Sequence, residues 1–356
     1  MHAIVSLFRI AALGILAATA FSCQARAAVQ VDDLFANHSG TKSRAEGYRF
    51  PVVKGGNHIA MQRINDWLQV SEYGTLPGHP LGLDPTTTTS LDFNVTAQTT
   101  NYLSLQLNGE YMGAYPSSAS TEYSFDLRTG DLIALDDLFT RAGLLAFRER
   151  VRADRLRQMD GVIASLKHHP SGANHDLDDE KLGFYTDCQE SLTGHDLTND
   201  QLSLREDDLV LSMENCANHA NLALDDLFNY DSRYSFSTIK PWLNDYGHCL
   251  LIDRKSTCVN AIKQPSHGVL RGTIDTHYPI TLIFGSRKGN NGYFYDKYGE
   301  LIPLDGGPDD VGGYRFTEQL KDGSTATISF KRRPDGSYIG SWTQEKTGKT
   351  MAVNLL

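Results

Sequence analysis

Hydrophobic and polar residues alternate along the chain from residue 268 to its end. The alternation is clear in Ile280, Leu282 and Phe284, where every second side chain is apolar. A period of two residues is typical of strands that bury one face. Glycine-containing turn sequences separate the successive runs, so we predict six or more strands joined by hairpins. Such strands fold into a small antiparallel sandwich or barrel.

The part of the chain before residue 262 mixes helical and strand-like patterns. Apolar residues recur at helical spacing after Ile59, and residues 142–166 form a run rich in Arg, Leu and Ala, so we predict a helix in each segment. A short helix is also predicted at 235–243. Alternation predicts strands at 48–53, 91–99, 102–110, 121–127 and 202–213. These elements indicate an α+β domain with an antiparallel sheet and helices.

The two patterns divide the chain into two predicted domains. A length of 356 residues is usual for two domains. The pattern changes at 262–267, after the last cysteine and around a proline. We therefore predict an α+β domain over residues 28–262 and a C-terminal all-β antiparallel sandwich or barrel over residues 263–356.

Residues 1–27 have the pattern of a secretory signal peptide. A short basic segment precedes the apolar run 10–21, and an A-x-A cleavage site ends at Ala27. The apolar run is shorter than the roughly 20 residues that span a bilayer. We therefore expect an exported protein of the periplasm or the extracellular space, without a transmembrane segment in its mature chain. Cys23 offers the alternative of a lipid anchor, but the residues before it fit a lipobox poorly.

The chain is acidic, and this limits its partners. It has 33 Lys and Arg against 43 Asp and Glu, which gives a formal net charge of −10. Loss of the signal peptide removes Arg9 and Arg26 and no acidic residue, so the mature chain is more acidic still. An acidic surface disfavours nucleic acid and anionic membranes and suits a basic protein partner.

Four cysteines follow the signal peptide: Cys188, Cys216, Cys249 and Cys258. An even number in an oxidising compartment predicts two disulfides, for which three connectivities exist. We favour the sequential pairs, with the second pair closing a short hairpin. A zinc site expects close C-x-x-C pairs, and these spacings do not provide them.

The sequence carries no catalytic signature, so we expect a protein that is not an enzyme and has no metal or cofactor. Asp136 and Asp137 are adjacent carboxylates, but we assign them to capping the helix that follows. The segment 175–180 combines a histidine with four acidic residues, without the spacing of a known metal motif. We predict a solvated loop there.

The stretch from Thr121 to Phe139, TEYSFDLRTGDLIALDDLF, gives the strongest family signal. A strand, a turn at Gly130 and the Leu-Asp-Asp-Leu-Phe element follow one another directly. Together with residues 48–55 (YRFPVVKG), Ile64-Asn65 and the Gly-Ala-Tyr-Pro loop at 113–116, it resembles the extracellular domain of RsiV-type anti-sigma factors. The same domain occurs in PdaC-type polysaccharide deacetylases.

The resemblance covers about residues 45–245 and implies a binding domain, because in RsiV-type proteins this domain binds lysozyme. The family loop reads Gly-Gly-Ala-His where this chain has Met-Gly-Ala-Tyr at 112–115. The C-terminal segment, with Gly292-Tyr-x-Tyr295 and Gly340-x-Trp342, loosely resembles periplasmic lysozyme inhibitors and immunity proteins against peptidoglycan hydrolases.

Three tyrosines are candidate partner-binding residues: Tyr111, Tyr115 and Tyr298. Tyr111 lies just before the Gly-Ala-Tyr-Pro loop and Tyr115 lies within it, and Tyr298 lies in a predicted hairpin turn. Exposed tyrosines in turns are common binding hot spots. Our first hypothesis is an exported protein that binds, and thereby inhibits, a lysozyme-like peptidoglycan hydrolase. The alternative is an accessory module that binds peptidoglycan through exposed aromatic rings, without inhibition.

Overall fold

A computed structural model describes residues 28–36, 47–81, 83, 86–168, 175–194, 197, 199–213, 216–217, 221–227, 230–261, 264–286, 289 and 291–356. The predicted signal peptide and Cys23 lie outside the described residues. So do residues 262 and 263 at the predicted domain boundary, which stays a prediction.

The N-terminal half begins with a small two-stranded sheet, a long helix and a three-stranded meander. Strands β1 (Gln30–Asp33) and β2 (Pro51–Lys54) pair with each other, and helix α1 (His58–Tyr73) follows. A three-stranded antiparallel meander then runs through β3 (Thr88–Gln98), β4 (Tyr102–Met112) and β5 (Pro116–Asp126). The strands of this meander were predicted at the correct positions, although each was predicted too short.

Helices and a second small sheet complete this half. The helices are α2 (Leu135–Leu138), α3 (Arg141–His168), α4 (His175–Thr193), α5 (Phe236–Ile239) and α6 (Asp245–Gly247). The second sheet contains β6 (Gln201–Leu204), β7 (Asp208–Ser212) and β8 (Ser232–Ser235). Short 3₁₀ turns lie at Leu222–Leu224 and Lys240–Trp242, and a π-helical turn lies at His248–Asp253.

The C-terminal half is one antiparallel sheet that nearly closes into a barrel, in the order β12-β11-β10-β9-β17-β16-β15-β14-β13. The strands are β9 (Gly268–Ile274), β10 (Tyr278–Phe284), β11 (Gly292–Tyr295), β12 (Ile302–Pro303), β13 (Asp305–Pro308), β14 (Tyr314–Gln319), β15 (Thr325–Arg332), β16 (Tyr338–Gln344) and β17 (Thr350–Leu355). The predicted fold class, α+β followed by an all-β barrel or sandwich, is confirmed.

Helix α1 is buried between the meander and the barrel. Its side chains Ile64 and Leu68 are fully buried in a core that includes Leu105 of β4. The same core includes Val269 and Ile283 from the outer face of the barrel wall. Alternate residues of the barrel strands, such as Leu282, fill the separate core inside the barrel. Both faces of β9 to β11 are therefore buried, each in a different core. This burial explains the nearly continuous apolar sequence of these strands.

The segment after β5 forms the predicted turn but not the predicted helix cap. Gly130 has a φ of +78° and packs so closely on the backbone of Ala60 that a side chain there would clash. Asp136 and Asp137 do not occupy the N-cap position, because they lie within the single turn of α2. Asp137 Oδ2 instead accepts the backbone N–H of Ala134 at 2.7 Å, from the third helical position.

Two other local predictions were wrong. Residues 202–213 form the hairpin β6–β7 and not a single strand, because residues 205–207 turn the chain. The acidic segment 175–180 is the first part of α4 and not a loop. Acidic residues are favourable in a first helical turn, where they face the positive end of the helix dipole.

The structure joins Cys188 to Cys216 and Cys249 to Cys258, with Cα atoms 5.6 Å apart in each pair. This is the favoured pairing, and two disulfides agree with an extracellular or periplasmic location. The second disulfide does not close a hairpin as predicted. It ties the π-helical turn to the turn that follows, beside the buried Leu250 and Leu251.

Replacement of Cys249 and Cys258 by Ser should lower the free energy of unfolding by about 3 kcal/mol, because the disulfide restricts the unfolded chain. Urea unfolding of the double variant measures this loss. The Cys188–Cys216 disulfide closes a longer loop. The matched double variant that lacks it should therefore lose slightly more stability. Unchanged stability in both variants would contradict a structural role for the disulfides.

Candidate functional site

Exposed aromatic side chains are few and lie at or beside hairpin turns. Among the described residues, the aromatic side chains that are classed as exposed are Tyr115, Tyr278 and Tyr298, at 71%, 51% and 68% exposure. Tyr115 lies at the tip of the β4–β5 hairpin, and Tyr298 lies in the turn between β11 and β12. Tyr278 begins β10 and is adjacent to that turn, because Asp296 donates its backbone N–H to Pro279 O at 3.0 Å.

The β4–β5 hairpin is regular up to its tip. Met112 pairs with Pro116, so Gly113, Ala114 and Tyr115 form the connection. Met112 is 45% exposed beside Tyr115. Tyr111 differs from both, since its half-buried ring folds back over Gly109 of the same strand. The tip therefore presents Met112 and Tyr115 to solvent.

The β11–β12 turn is held by its backbone. Tyr298 and Gly299 donate their N–H groups to Tyr295 O at 2.8 and 3.2 Å. Gly299 has a φ of +66°, which an L-residue rarely adopts. The Lys297 ammonium lies 5.5 Å from the centre of the Tyr298 ring, within the range of a cation–π contact. The ring is thus displayed on a tight and defined turn.

One connecting segment borders both hairpins. The chain between α1 and β3 places the His79 ring directly against Gly299. Near the other end of the same segment, Thr87 O accepts the backbone N–H of Met112 at 2.7 Å. The same segment therefore contacts both the turn of Tyr298 and the β4–β5 hairpin. We call Met112, Tyr115, Tyr278 and Tyr298 the tip surface.

Sequence reasoning identified Tyr115 and Tyr298 as exposed but missed Tyr278. A signal was present, because Tyr278 follows the tight turn at 275–277 and precedes a proline, a position typical of a strand end. The structure places Tyr111 on the same hairpin as Tyr115, yet with its ring turned back onto the strand.

A buried ion pair connects helix α1 to the turn of Tyr298. Arg271 of β9 donates from Nε and Nη2 to the two oxygens of Asp66, at 2.7 Å each. Its Nη1 donates to Asp296 Oδ2 at 3.4 Å, and Thr281 Oγ1 donates to Asp296 Oδ1 at 2.7 Å. Asp296 directly follows β11, so the network fixes the start of the turn.

Burial raises the pKa of Asp66, and its hydrogen bonds and charge interaction with Arg271 act in the opposite direction. Asp66 is fully buried, whereas the Arg271 side chain is 31% exposed. Arg271 therefore opposes the effect of burial on the pKa of this carboxyl, at the interface between helix and barrel.

Two further findings concern metal binding and membrane spanning. Among the residues that the structure describes, no group of three or more His, Cys, Asp or Glu side chains is placed to hold a metal ion. None of the helices in this part of the chain combines the length and the apolar composition needed to cross a membrane.

No protein-family model matches the chain, and no curated protein matches it. The resemblance to the RsiV-type and PdaC-type domain, and that of the C-terminal half to lysozyme inhibitors, therefore stay predictions.

Replacement of Arg271 by Met should lower stability by about 3 kcal/mol at neutral pH, because Asp66 is left buried without its counter-charge. The pKa of Asp66 then rises further in the folded state, while its unfolded value does not change. A protonated Asp66 stabilises the variant at acidic pH, and this contribution is lost as the pH rises through the folded-state pKa. Urea unfolding should show a larger deficit at pH 7.5 than at pH 4.5.

The double variant D66N/R271M is the control for this pH dependence. It has no titrating carboxylate at position 66, so its deficit relative to the wild type should vary much less with pH. An R271M deficit that is the same at both pH values would contradict the assignment of the effect to Asp66.

Proposed function

We propose that this protein is an exported, non-enzymatic binding protein that binds and inhibits a lysozyme-like peptidoglycan hydrolase through the tip surface. The single observation that carries the proposal is that the exposed aromatic side chains, among the described residues, lie at or beside hairpin turns, two of which are contacted by one connecting segment. Aromatic side chains normally bury most of their area, and exposed clusters mark interaction sites.

The tyrosines suit recognition of a protein. A tyrosine has only two side-chain torsions, so it provides a large contact area at a low cost in conformational entropy. Tyr298 is further restrained by its turn and by Lys297. Tyr115 and Met112 project from the end of a regular hairpin, a shape that can enter a cleft in a partner. These features support insertion of a hairpin into the substrate cleft of an enzyme.

The charge of the chain supports a basic partner. The net charge of −10 attracts a basic protein over distances of about a Debye length, roughly 8 Å at physiological ionic strength. Lysozymes are generally basic, and their clefts bind sugar rings, whose size and flat apolar faces a tyrosine ring can imitate. Occupation of that cleft excludes the glycan, so binding and inhibition would occur together.

The proposal is tested by turnover assays with several purified muramidases. At least one of them should be inhibited by the full chain. Replacement of Tyr115 or Tyr298 by Ala should raise the inhibition constant about 30-fold, because a binding hot spot contributes at least about 2 kcal/mol. The matched control is V311A, which shortens another highly exposed apolar side chain, in the turn between β13 and β14.

The result that would sink the proposal is the absence of both a complex and inhibition with every muramidase tested. Equal losses in V311A and in the tyrosine variants would also argue against the tip surface. Sedimentation with purified sacculi distinguishes the alternative function: a glycan-binding module sediments with the glycan, whereas an inhibitor of this type has no need to do so.

Association with the hydrolase should slow as salt is added, because screening weakens the long-range attraction between an acidic chain and a basic enzyme. Stopped-flow measurements at about 50 and 500 mM NaCl should show an association rate constant that falls by about tenfold or more. The dissociation rate constant should change much less, since it depends on the packed contacts at the tip surface. An association rate that is independent of salt would rule out charge steering.

A further inference from the structure

A cavity of about 400 Å³ is lined by parts of helices α1 and α3, strand β5, the second small sheet and the residues just before β9. Its lining includes Trp67, Tyr123, Leu135, Arg148, Leu202 and His267. The volume lies within the range of about 300–1,000 Å³ that is typical of small-molecule sites. None of the residues that define the tip surface lines it, so the cavity is a separate feature of the molecule.

Arg148 lies on the wall of this cavity without a counter-charge. Its side chain is half-buried, and among the described residues it forms no hydrogen bond and no ion pair. The Nε atom is buried and has no acceptor. The terminal Nη1 and Nη2 atoms also have no acceptor, but neither is buried, so a ligand can reach both. A partly desolvated guanidinium without an anion is unfavourable, and an anion that binds to it removes this cost.

Acidic residues also line the cavity, but none of them neutralises Arg148. The Glu122 carboxylate is paired with an arginine of the second small sheet at 3.0 Å, and the Asp200 carboxylate is paired with Arg155 at 2.7 Å. The exposed Asp136 lines the cavity without an ion pair to Arg148. One guanidinium is therefore left for a ligand, and the acidic groups around it disfavour a ligand with more than one negative charge.

The cavity also has apolar walls. Leu132, Ala134 and Leu135 line it and are only half-buried, so part of each side chain is open to a ligand. Small-molecule sites typically combine such apolar surface with a few polar groups that fix the orientation of the ligand. The lining therefore suits a ligand with one anionic group and an apolar body.

We propose that this cavity binds a small monocarboxylate with an apolar body. A carboxylate accepts from Nη1 and Nη2 of one guanidinium in a bidentate, charge-assisted pair, so Arg148 alone can hold it. The apolar body of the ligand packs against the half-buried side chains of Leu132, Ala134 and Leu135. The site is independent of the proposed inhibition, since it uses other residues.

Titration of the ¹⁵N-labelled full chain with hexanoate and with phenylacetate, at constant ionic strength, tests this site. The arginine Nε–H signal that is absent from the R148K variant belongs to Arg148. At least one of the two carboxylates should shift this signal saturably. Hexan-1-ol, which has the same apolar chain as hexanoate and no charge, should bind at least about tenfold more weakly, and so should inorganic phosphate.

Calorimetric titration of variants measures the contribution of the guanidinium. Replacement of Arg148 by Met should weaken carboxylate binding about 10- to 100-fold, because hydrogen bonds to a charged group are lost. R148K keeps the charge without the fork and should lose less. The matched control is R141M, since Arg141 is an exposed arginine of the same helix that does not line the cavity, and its replacement should leave affinity unchanged.

Three outcomes would overturn the inference. The first is no saturable shift of the Arg148 signal with either carboxylate at concentrations on the order of 50 mM, where even weak sites fill. The second is hexan-1-ol or phosphate binding as tightly as the carboxylates, because the ligand class is then wrong. The third is equal carboxylate affinity in R148M and in the wild type. If R148M does not fold, the comparison of hexanoate with hexan-1-ol on the wild-type chain decides the matter.

Discussion

The burial of Asp66 against Arg271 is the constraint on which the arrangement of the two halves depends. Asp66 lies on a helix that is covered by the meander on one side and by the barrel on the other. A carboxylate in that position is destabilising unless a cation meets it, and the bidentate contact at 2.7 Å provides the cation from the barrel wall. The pair therefore selects one docking position for the barrel, where apolar contacts alone would tolerate several.

The same arginine connects the buried Asp66 to a turn at the protein surface. Through Asp296 it reaches the strand end from which the turn of Tyr298 begins, and the His79 ring closes the other side of that turn. The proposed binding surface is built from hairpins of different halves, so it requires a fixed separation between them. The ion pair, together with the core around α1, fixes it. In the proposed complex, the exposed tyrosines would therefore need little reorganisation.

Much of the fold followed from residue periodicity. The alternation in β10 and the helical spacing of Ile64 and Leu68 reflect local burial, which sequence records directly. The prediction of the helix cap was wrong because it relied only on the position of the aspartates next to the helix in the sequence. Asp137 caps its helix from the third position, since the carboxylate reaches back to Ala134. The hairpin at 202–213 was missed because both of its strands are apolar and a short polar turn separates them.

The candidate site could be predicted only in part, for a physical reason. Exposure of a turn residue such as Tyr298 is a local property, so sequence can predict it. The position of the Tyr298 turn in the fold depends on contacts between distant segments, such as that of His79 with Gly299, which no local pattern encodes. The cavity beside Trp67 could not be predicted from the sequence, because its lining residues come from distant parts of the chain. Asp66 and Trp67 are consecutive, yet Asp66 pairs with the barrel, whereas Trp67 lines a space bounded by several segments. Neighbouring residues on helix α1 thus meet different parts of the structure, because consecutive side chains on a helix point in different directions.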